Sequence, residues 1–326
     1  MLLRVYKEEK GTVVSTKKDP TKALTFKSNS WIDVVDPDLA LLKKIAKRTA
    51  LPLDFLSVAL DLEESGRIDV EEDSTLIVLD SPFESIKEDK KHAKINIYNT
   101  IPFVIVYNDK YIVTLRKYDT GLVDSVLNKY RVLEPHKHAR FTLSIFFCLA
   151  QQFISYLKRI DFQSKEIEMK LHSSMKNKEL FDLMSLNKEL VYFSTALNSN
   201  AVVSERLKRL PLYKMFEEDT DLIEDVQVEF NQASEMCSIY RDILAGMMDA
   251  FASIISNNLN IVMKVLAIVT IVLSIPTIVA SFYGMNVKDI PLAESNNGFW
   301  IIVGVSAGLA IIGALVLLIL GKLRKK

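Results

Sequence analysis

Two stretches without a charged residue, 265–283 and 299–320, constrain this 326-residue chain more than anything else in it. A helix needs roughly 20 predominantly apolar residues to cross about 30 Å of hydrocarbon, and both stretches meet that length. A buried helical hairpin in a soluble domain is the competing reading, and the length and purity of the runs favour the membrane. Orientation follows from charge. Lys322, Arg324, Lys325 and Lys326 crowd the C-terminal end, whereas the short 284–298 loop holds Lys288 against Asp289 and Glu294. The positive-inside rule then predicts a multi-pass protein of the cytoplasmic (inner) membrane, with both termini cytoplasmic and the loop outside.

Met1 to Tyr6 run straight into charged residues, unlike a signal peptide, so the residues before the membrane are expected to stay in the cytoplasm. Cys148 and Cys237 stand far apart in apolar or helical surroundings, which fits packing in a reducing compartment. Of 41 basic and 41 acidic residues, six and two fall from Leu259 onward, leaving 35 and 39 in the rest. That mildly acidic remainder argues against a nucleic-acid partner, which wants a basic face.

The pattern predicts three domains: an α/β domain over 1–135, a helical region over 136–258, and a membrane domain over 259–326. The last divides into a first span at about 262–283, the 284–298 loop and a second span at about 299–320, followed by a basic tail. Within the first domain, Trp31-Ile32-Asp33-Val34-Val35 reads as a strand, with Asp36 as N-cap and Pro37 as first residue of a helix to about Arg48. A short helix is expected near Leu53, strands at 76–79, 94–98 and 101–107, and a hairpin through Asn108-Asp109 onto 111–116. The chain contains neither G-x-G-x-x-G nor G-x-x-x-x-G-K-[ST]. From about His138 the pattern is helical, with Pro211 as a breaker. From Asp221 to Tyr283 one continuous helix is predicted, about 95 Å long at 1.5 Å per residue. Such a rod must pack on copies of itself or on the helices of 140–205.

A polar stripe runs along this helix. Steps of four and three from Asp249 reach Ser253, Ser256, Asn260, Met263, Ala267, Thr270, Ser274, Thr277, Ser281 and Gly284, and only Met263 among them is neither polar nor small. The intervening membrane positions are almost all Val, Leu, Ile or Phe, so the polar groups share one face. That face should look at protein or water, because hydroxyls facing lipid are costly. Close helix packing explains the GxxxG spacing of Gly304 and Gly308 in the second span. It explains the stripe less well, since packing needs no Asn260 or Asp249. A water-filled pore lined by several copies is favoured. Neutral oxygens with no charged ring suit a hard, hydrated divalent cation better than a soft metal.

Where the stripe ends stands Tyr283-Gly284-Met285-Asn286. With the two-helix context and with Trp31-Ile32-Asp33, Pro52-Leu53-Asp54-Phe55-Leu56, Arg67-Ile68-Asp69 and Met263-Lys264-Val265-Leu266, this motif resembles the CorA family of magnesium channels over nearly the whole chain. The resemblance implies a homopentamer with a funnel-shaped cytoplasmic α+β domain, a mixed sheet with helices. The long helix would line the pore and the second span would form an outer ring. It implies a selectivity filter at Tyr283, Gly284, Met285 and Asn286, with Asn286 gripping the hydrated ion. Family pore positions fall on Thr277, Ser274, Met263, Asn260 and Asp249.

The resemblance further implies Mg2+ as both cargo and regulator, with no organic cofactor. A regulatory ion would sit between carboxylates of neighbouring subunits, here Asp225, with Asp80 or Glu84 as partner. Read without the resemblance, the acidic run 217–225 is a solvated helix start. Ser274 replaces a methionine common in the family and Pro276 falls one residue late, leaving Met263 and Leu266 for an apolar constriction. Co2+ and Ni2+ are further candidate cargoes. The rival readings are a zinc or other divalent-cation transporter of the same superfamily, a proton-coupled one included, and a membrane-anchored assembly or sensor that conducts nothing. No enzyme is expected. His92, His136, His138 and His172 lack metal-ligand spacing, and no G-x-S-x-G or H-E-x-x-H occurs.

Overall fold

The computed structural model describes residues 1–9, 12–22, 24–88, 94–130, 135–174, 177–211, 217–285, 291 and 297–323. They form two compact units, Met1–Met248 and Asp249–Lys326.

The first unit is built on strands β1 (Leu2–Glu9), β2 (Thr12–Lys18), β3 (Ser30–Val35), β4 (Arg67–Glu71), β5 (Ser74–Glu88), β6 (Lys94–Asn108) and β7 (Tyr111–Arg116). They make one sheet in the order β2-β1-β3-β7-β6-β5-β4. Every pairing is antiparallel except that of β3 with β7 at the centre. A strand with helices on both faces must be apolar on both sides, and β3 is buried along its whole length. Alternation sends Ile32 and Val34 to one face, where Leu41, Leu42, Ile45 and Leu56 cover them. Trp31 points the other way, stacked on Tyr6 at 4.4 Å and edge-on to Phe141 at 4.9 Å.

The covering helices are α1 (Leu39–Thr49) and α2 (Leu53–Ser57) on the first face. The N-cap of α1 is Asp38, whose Oδ1 accepts the Leu41 N–H at 2.7 Å, and not the expected Asp36. Asp36 is in the left-handed region at φ 55°, its N–H bonds to the Arg116 carbonyl at 2.9 Å, and its carboxylate pairs with Lys117. It closes the end of the sheet, and the helix starts two residues later.

The strands expected at 94–98 and 101–107 are one strand, β6, which runs through Asn99-Thr100 and Pro102. Past Leu79 and before Phe103, β5 and β6 pair only with each other. Pro82 and Pro102 both lie in this two-stranded extension, where each strand keeps an open edge and a missing N–H interrupts no ladder. The β6–β7 turn is tight, with Asn108 opposite Tyr111 and the Asn108 Oδ1 accepting the Lys110 and Tyr111 N–H groups.

Helices α3 (Leu122–Lys129), α4 (His138–Ser174), α5 (Asn177–Arg209) and α6 (Glu217–Tyr283) follow. His138 begins α4, where the helical pattern is expected to start, and packs against Tyr107 at 4.9 Å. Helix α6 has 67 residues and carries Pro276 inside it, in line with the predicted continuous helix. In the first unit it buries Ile223, Val226, Phe230, Ala233 and Cys237, spaced by threes and fours. Phe230 meets Phe146 of α4 edge-on at 6.3 Å, and the Cys237 thiol donates to the Leu190 carbonyl of α5.

The second unit holds the rest of α6 and α7 (Gly298–Leu323). Both helices are long and apolar enough to cross a membrane.

Candidate ion pathway on the long helix

Within the second unit, α6 presents two distinct faces. Ile268, Val272, Ile275, Pro276, Val279 and Tyr283 are partly covered, whereas every stripe residue from Asp249 to Gly284 is exposed. At roughly 100° per residue the two sets lie on nearly opposite sides of the helix. The covered side meets α7, on which Gly298 and Ser306 are buried and Ile302, Ala310, Gly313 and Leu317 are partly covered. Small residues on that face let the two backbones approach. A Cβ on Gly313 would come within 2.9 Å of the Ile275 Cδ1, while a Cβ on Gly304 or Gly308 would meet nothing within 4 Å. The glycine that packs inside the chain is therefore Gly313, and the GxxxG pair picked out in the sequence faces away from α6. Towards the C-terminal end of α6 the helices separate around a cavity of about 630 Å3 lined by Pro276, Ala280, Tyr283, Phe299, Ile302 and Ser306.

The hydroxyls of the stripe have a common arrangement. Ser253, Thr270, Ser274 and Thr277 each donate to the carbonyl oxygen four residues back, at 3.0, 2.8, 2.8 and 2.9 Å. Each proton is thereby turned into the helix, and the oxygen lone pairs are left to face outward. The result is a column of acceptors. A hydrated cation presents its water hydrogens outward, so such a column suits it, whereas an anion would require donors. No carboxylate occupies the stripe between Asp249 and Gly284, so the acceptors are neutral.

Tyr283 ends α6, and the Gly284 and Met285 N–H groups bond back to the Ala280 and Phe282 carbonyls at 3.0 and 3.3 Å. The helix thus closes with a tight turn at Gly284 and Met285. Asn286, the last of the four candidate filter residues, lies outside the described residues.

The three candidate regulatory carboxylates sit differently. Asp225 is exposed on α6. Glu84 on β5 is paired with Arg159 of α4 at 3.0 Å. Asp80 on β5 is largely buried, and burial raises its pKa to about 6 against the opposing hydrogen bond from Ser199. Its backbone is clamped by Asn200, which accepts the Asp80 N–H at 2.9 Å and donates to the Asp80 carbonyl at 2.8 Å. Among the described residues of one chain, no three acidic, histidine or cysteine groups converge on a metal-sized site.

One buried acid escaped the sequence reading. Glu189 of α5 is only 4% exposed, and its Oε2 has no hydrogen-bond partner among the described residues. Burial raises its pKa to about 7, opposed by the Tyr98 backbone N–H and the Ser185 hydroxyl. Nothing in the spacing around it distinguishes it from a surface glutamate on a charged helix.

Residues 26–325 match the family described as CorA-like Mg2+ transporter protein. The chain is 27% identical over 294 residues to the cobalt/magnesium transport protein CorA of Methanocaldococcus jannaschii, covering 90% of each. Its fold is similar to the complete structure of the CorA magnesium transporter from that organism, with a TM-score of 0.77, 24% identity and 97% of each chain covered. It is also similar to the ZntB cytoplasmic domain from Vibrio parahaemolyticus, with a TM-score of 0.57 and 12% identity over 79% of this chain and 98% of that one.

Proposed function

Because the chain belongs to the family of CorA-like Mg2+ transporter proteins, we propose that it conducts hydrated Mg2+ across the cytoplasmic membrane through a pore lined by α6 of five copies. The observation that carries this reading is the outward acceptor column on α6, set opposite the face that packs on α7. With α7 on its back, the stripe is the side of α6 left for an axis shared with other copies. Asp249, Ser256, Asn260, Met263, Ala267, Thr270, Ser274, Thr277 and Ser281 line this pore, and the turn at 283–286 forms its filter. An ion that keeps its water needs hydrogen-bond acceptors at the distance of its hydration shell, not ligands in direct contact.

Regulation by cytoplasmic Mg2+ is part of the same proposal. Asp80 is the better partner for Asp225 of a neighbouring subunit, because Glu84 already has Arg159 as its counter-charge while burial works against the Asp80 charge. A bound cation would relieve that desolvation cost. The termini lie in the cytoplasm by the distribution of Lys and Arg around the two spans.

Flux of Mg2+, Co2+, Ni2+ and Zn2+ into the same proteoliposomes, with and without a proton gradient, tests the proposal. Mg2+ should pass, and Asn286→Ala should reduce its passage by more than about tenfold, the loss expected when a positioned hydrogen-bond ring is removed. Intact flux in Asn286→Ala would overturn the channel reading. A strong Zn2+ preference that depends on the proton gradient would instead favour a zinc transporter, a distinction the fold does not make.

A further inference from the structure

In the unit Met1–Met248, α3, the turn before it and one face of α4 line an open, cleft-like cavity of about 620 Å3 that the ion pathway does not use. Eleven residues line it, among them Lys129 and Arg159, with no aspartate or glutamate. The α4 residues Gln152, Tyr156 and Arg159 stand at helical spacing along its wall, and Ser125 and Lys129 of α3 face them. The cavity is thus polar and within the 300–1,000 Å3 range typical of small-molecule sites, with Lys129 as a cation of its lining and Arg159 giving one guanidinium nitrogen to Glu84 at 3.0 Å.

The partners of its polar groups are incomplete. Among the described residues the Lys129 Nζ contacts neutral groups, the Gln151 Oε1 at 3.0 Å and the Phe147 ring at 3.8 Å. Gln152 donates its amide to the Thr120 carbonyl, which sets the orientation of the side chain. Its Oε1 is then buried without a hydrogen-bond partner among the described residues. A buried acceptor in that state calls for a donor.

We propose that this cavity binds a small phosphomonoester bearing hydroxyl groups, the part common to sugar phosphates and mononucleotides. The phosphate sits against Lys129 and Arg159, and a ligand hydroxyl or amine donates to the Gln152 Oε1. Arginine supplies the planar fork and lysine the point charge that together suit phosphate oxygens. Recognition is by side chains, which is consistent with the absence of a glycine-rich phosphate loop.

Calorimetric titration of the full-length protein in nanodiscs, with a chelator present to remove divalent ions, tests this. The probes are AMP, ribose 5-phosphate and inorganic phosphate. AMP or ribose 5-phosphate should bind, and the tighter of the two identifies the source. The double change Lys129→Met with Arg159→Met should weaken binding by about tenfold or more, as expected for lost charge-assisted contacts. Ser155→Trp, which fills the cavity from an exposed position, should do the same while leaving the unliganded melting temperature unchanged. Absence of binding by both esters at millimolar concentration overturns the proposal. So does equal affinity for inorganic phosphate, or unchanged affinity in both variants.

Discussion

Gly313 of α7 lies so close to Ile275 of α6 that a Cβ there would come within 2.9 Å of the Ile275 Cδ1. This contact holds α7 on the side of α6 opposite the polar stripe. Gly313→Leu should therefore force the two helices apart, at a cost of about 1–3 kcal/mol for overpacking, and lower both the melting temperature in detergent and the flux. Gly304→Ala and Gly308→Ala should leave the packing within the chain unchanged, since a Cβ at either meets nothing. If those variants prove as damaging as Gly313→Leu, the two glycines pack between chains.

The acceptor column makes a chemically narrow prediction at Thr277. Thr277→Val keeps the shape and removes the outward oxygen, so Mg2+ flux in proteoliposomes should fall several-fold. Thr277→Ser keeps the hydroxyl and the bond to the Leu273 carbonyl and should restore most of it. Equal flux in both variants would mean that the oxygen has no part in conduction.

For regulation, Asp225→Lys should weaken closure at high internal Mg2+, and Asp80→Asn should do so in the same direction. Each effect should be partial if several carboxylates share the ion. The measurement is Mg2+ influx into vesicles preloaded with millimolar Mg2+. Inhibition identical to that of the unaltered protein in both variants would remove these residues from the regulatory site.

Glu189 predicts a pH dependence of stability. Its folded pKa of about 7 lies above the ordinary glutamate value of 4.5, so between these two pH values the folded chain holds more protons than the unfolded one. Stability then falls as pH rises from about 4.5 to 7 and levels off above, because ionising the group in place is unfavourable. Glu189→Gln should flatten this fall. It should have little effect near pH 4.5 and stabilise the protein at pH 8 by up to about 3 kcal/mol, which thermal melts at the two pH values would detect. A variant with the same pH profile as the parent would show that Glu189 is not the group responsible.

In the centre of the sheet, Arg116 and Asp33 form an ion pair with both side chains fully buried. Thr114 bridges Trp31 to the same carboxylate, accepting from the Trp31 Nε1 and donating to the Asp33 Oδ1 at 2.8 Å each. Arg116→Met leaves a buried charge without its partner and should cost about 3–5 kcal/mol. Adding Asp33→Asn should recover part of that loss. A double-mutant cycle on chemical denaturation of the protein measures the coupling, and strictly additive costs would deny it.

Much of this architecture was legible along the chain. The β3 strand, α2, the turn onto β7, the start of α4 and the unbroken α6 follow from local patterns of apolar residues, prolines and turn residues. Strands β1 and β2 were missed because as outer strands they carry Lys and Glu among their apolar residues, which masks the alternation. The single strand β6 was read as two because the polar pair Asn99-Thr100 interrupts its apolar run, while Pro102 is harmless because it lies beyond the edge of β7. In α1 the cap fell on Asp38 because Asp36 is held by Arg116 and Lys117, contacts eighty and more residues away. Of the candidate site, the stripe was visible as a period, whereas the burial of Asp80 and Glu189 was not.

By itself, then, the sequence determined the features that repeat along one element: two membrane-length helices, a polar face at a helical period, and one long helical rod. Such features depend on residue spacing alone. Only the tertiary structure decided which face of α6 meets α7, that Arg116 reaches Asp33, and that Glu189 is sealed from water. Those outcomes depend on which surfaces distant segments cover, and burial sets the energy of a polar group as strongly as its own chemistry does.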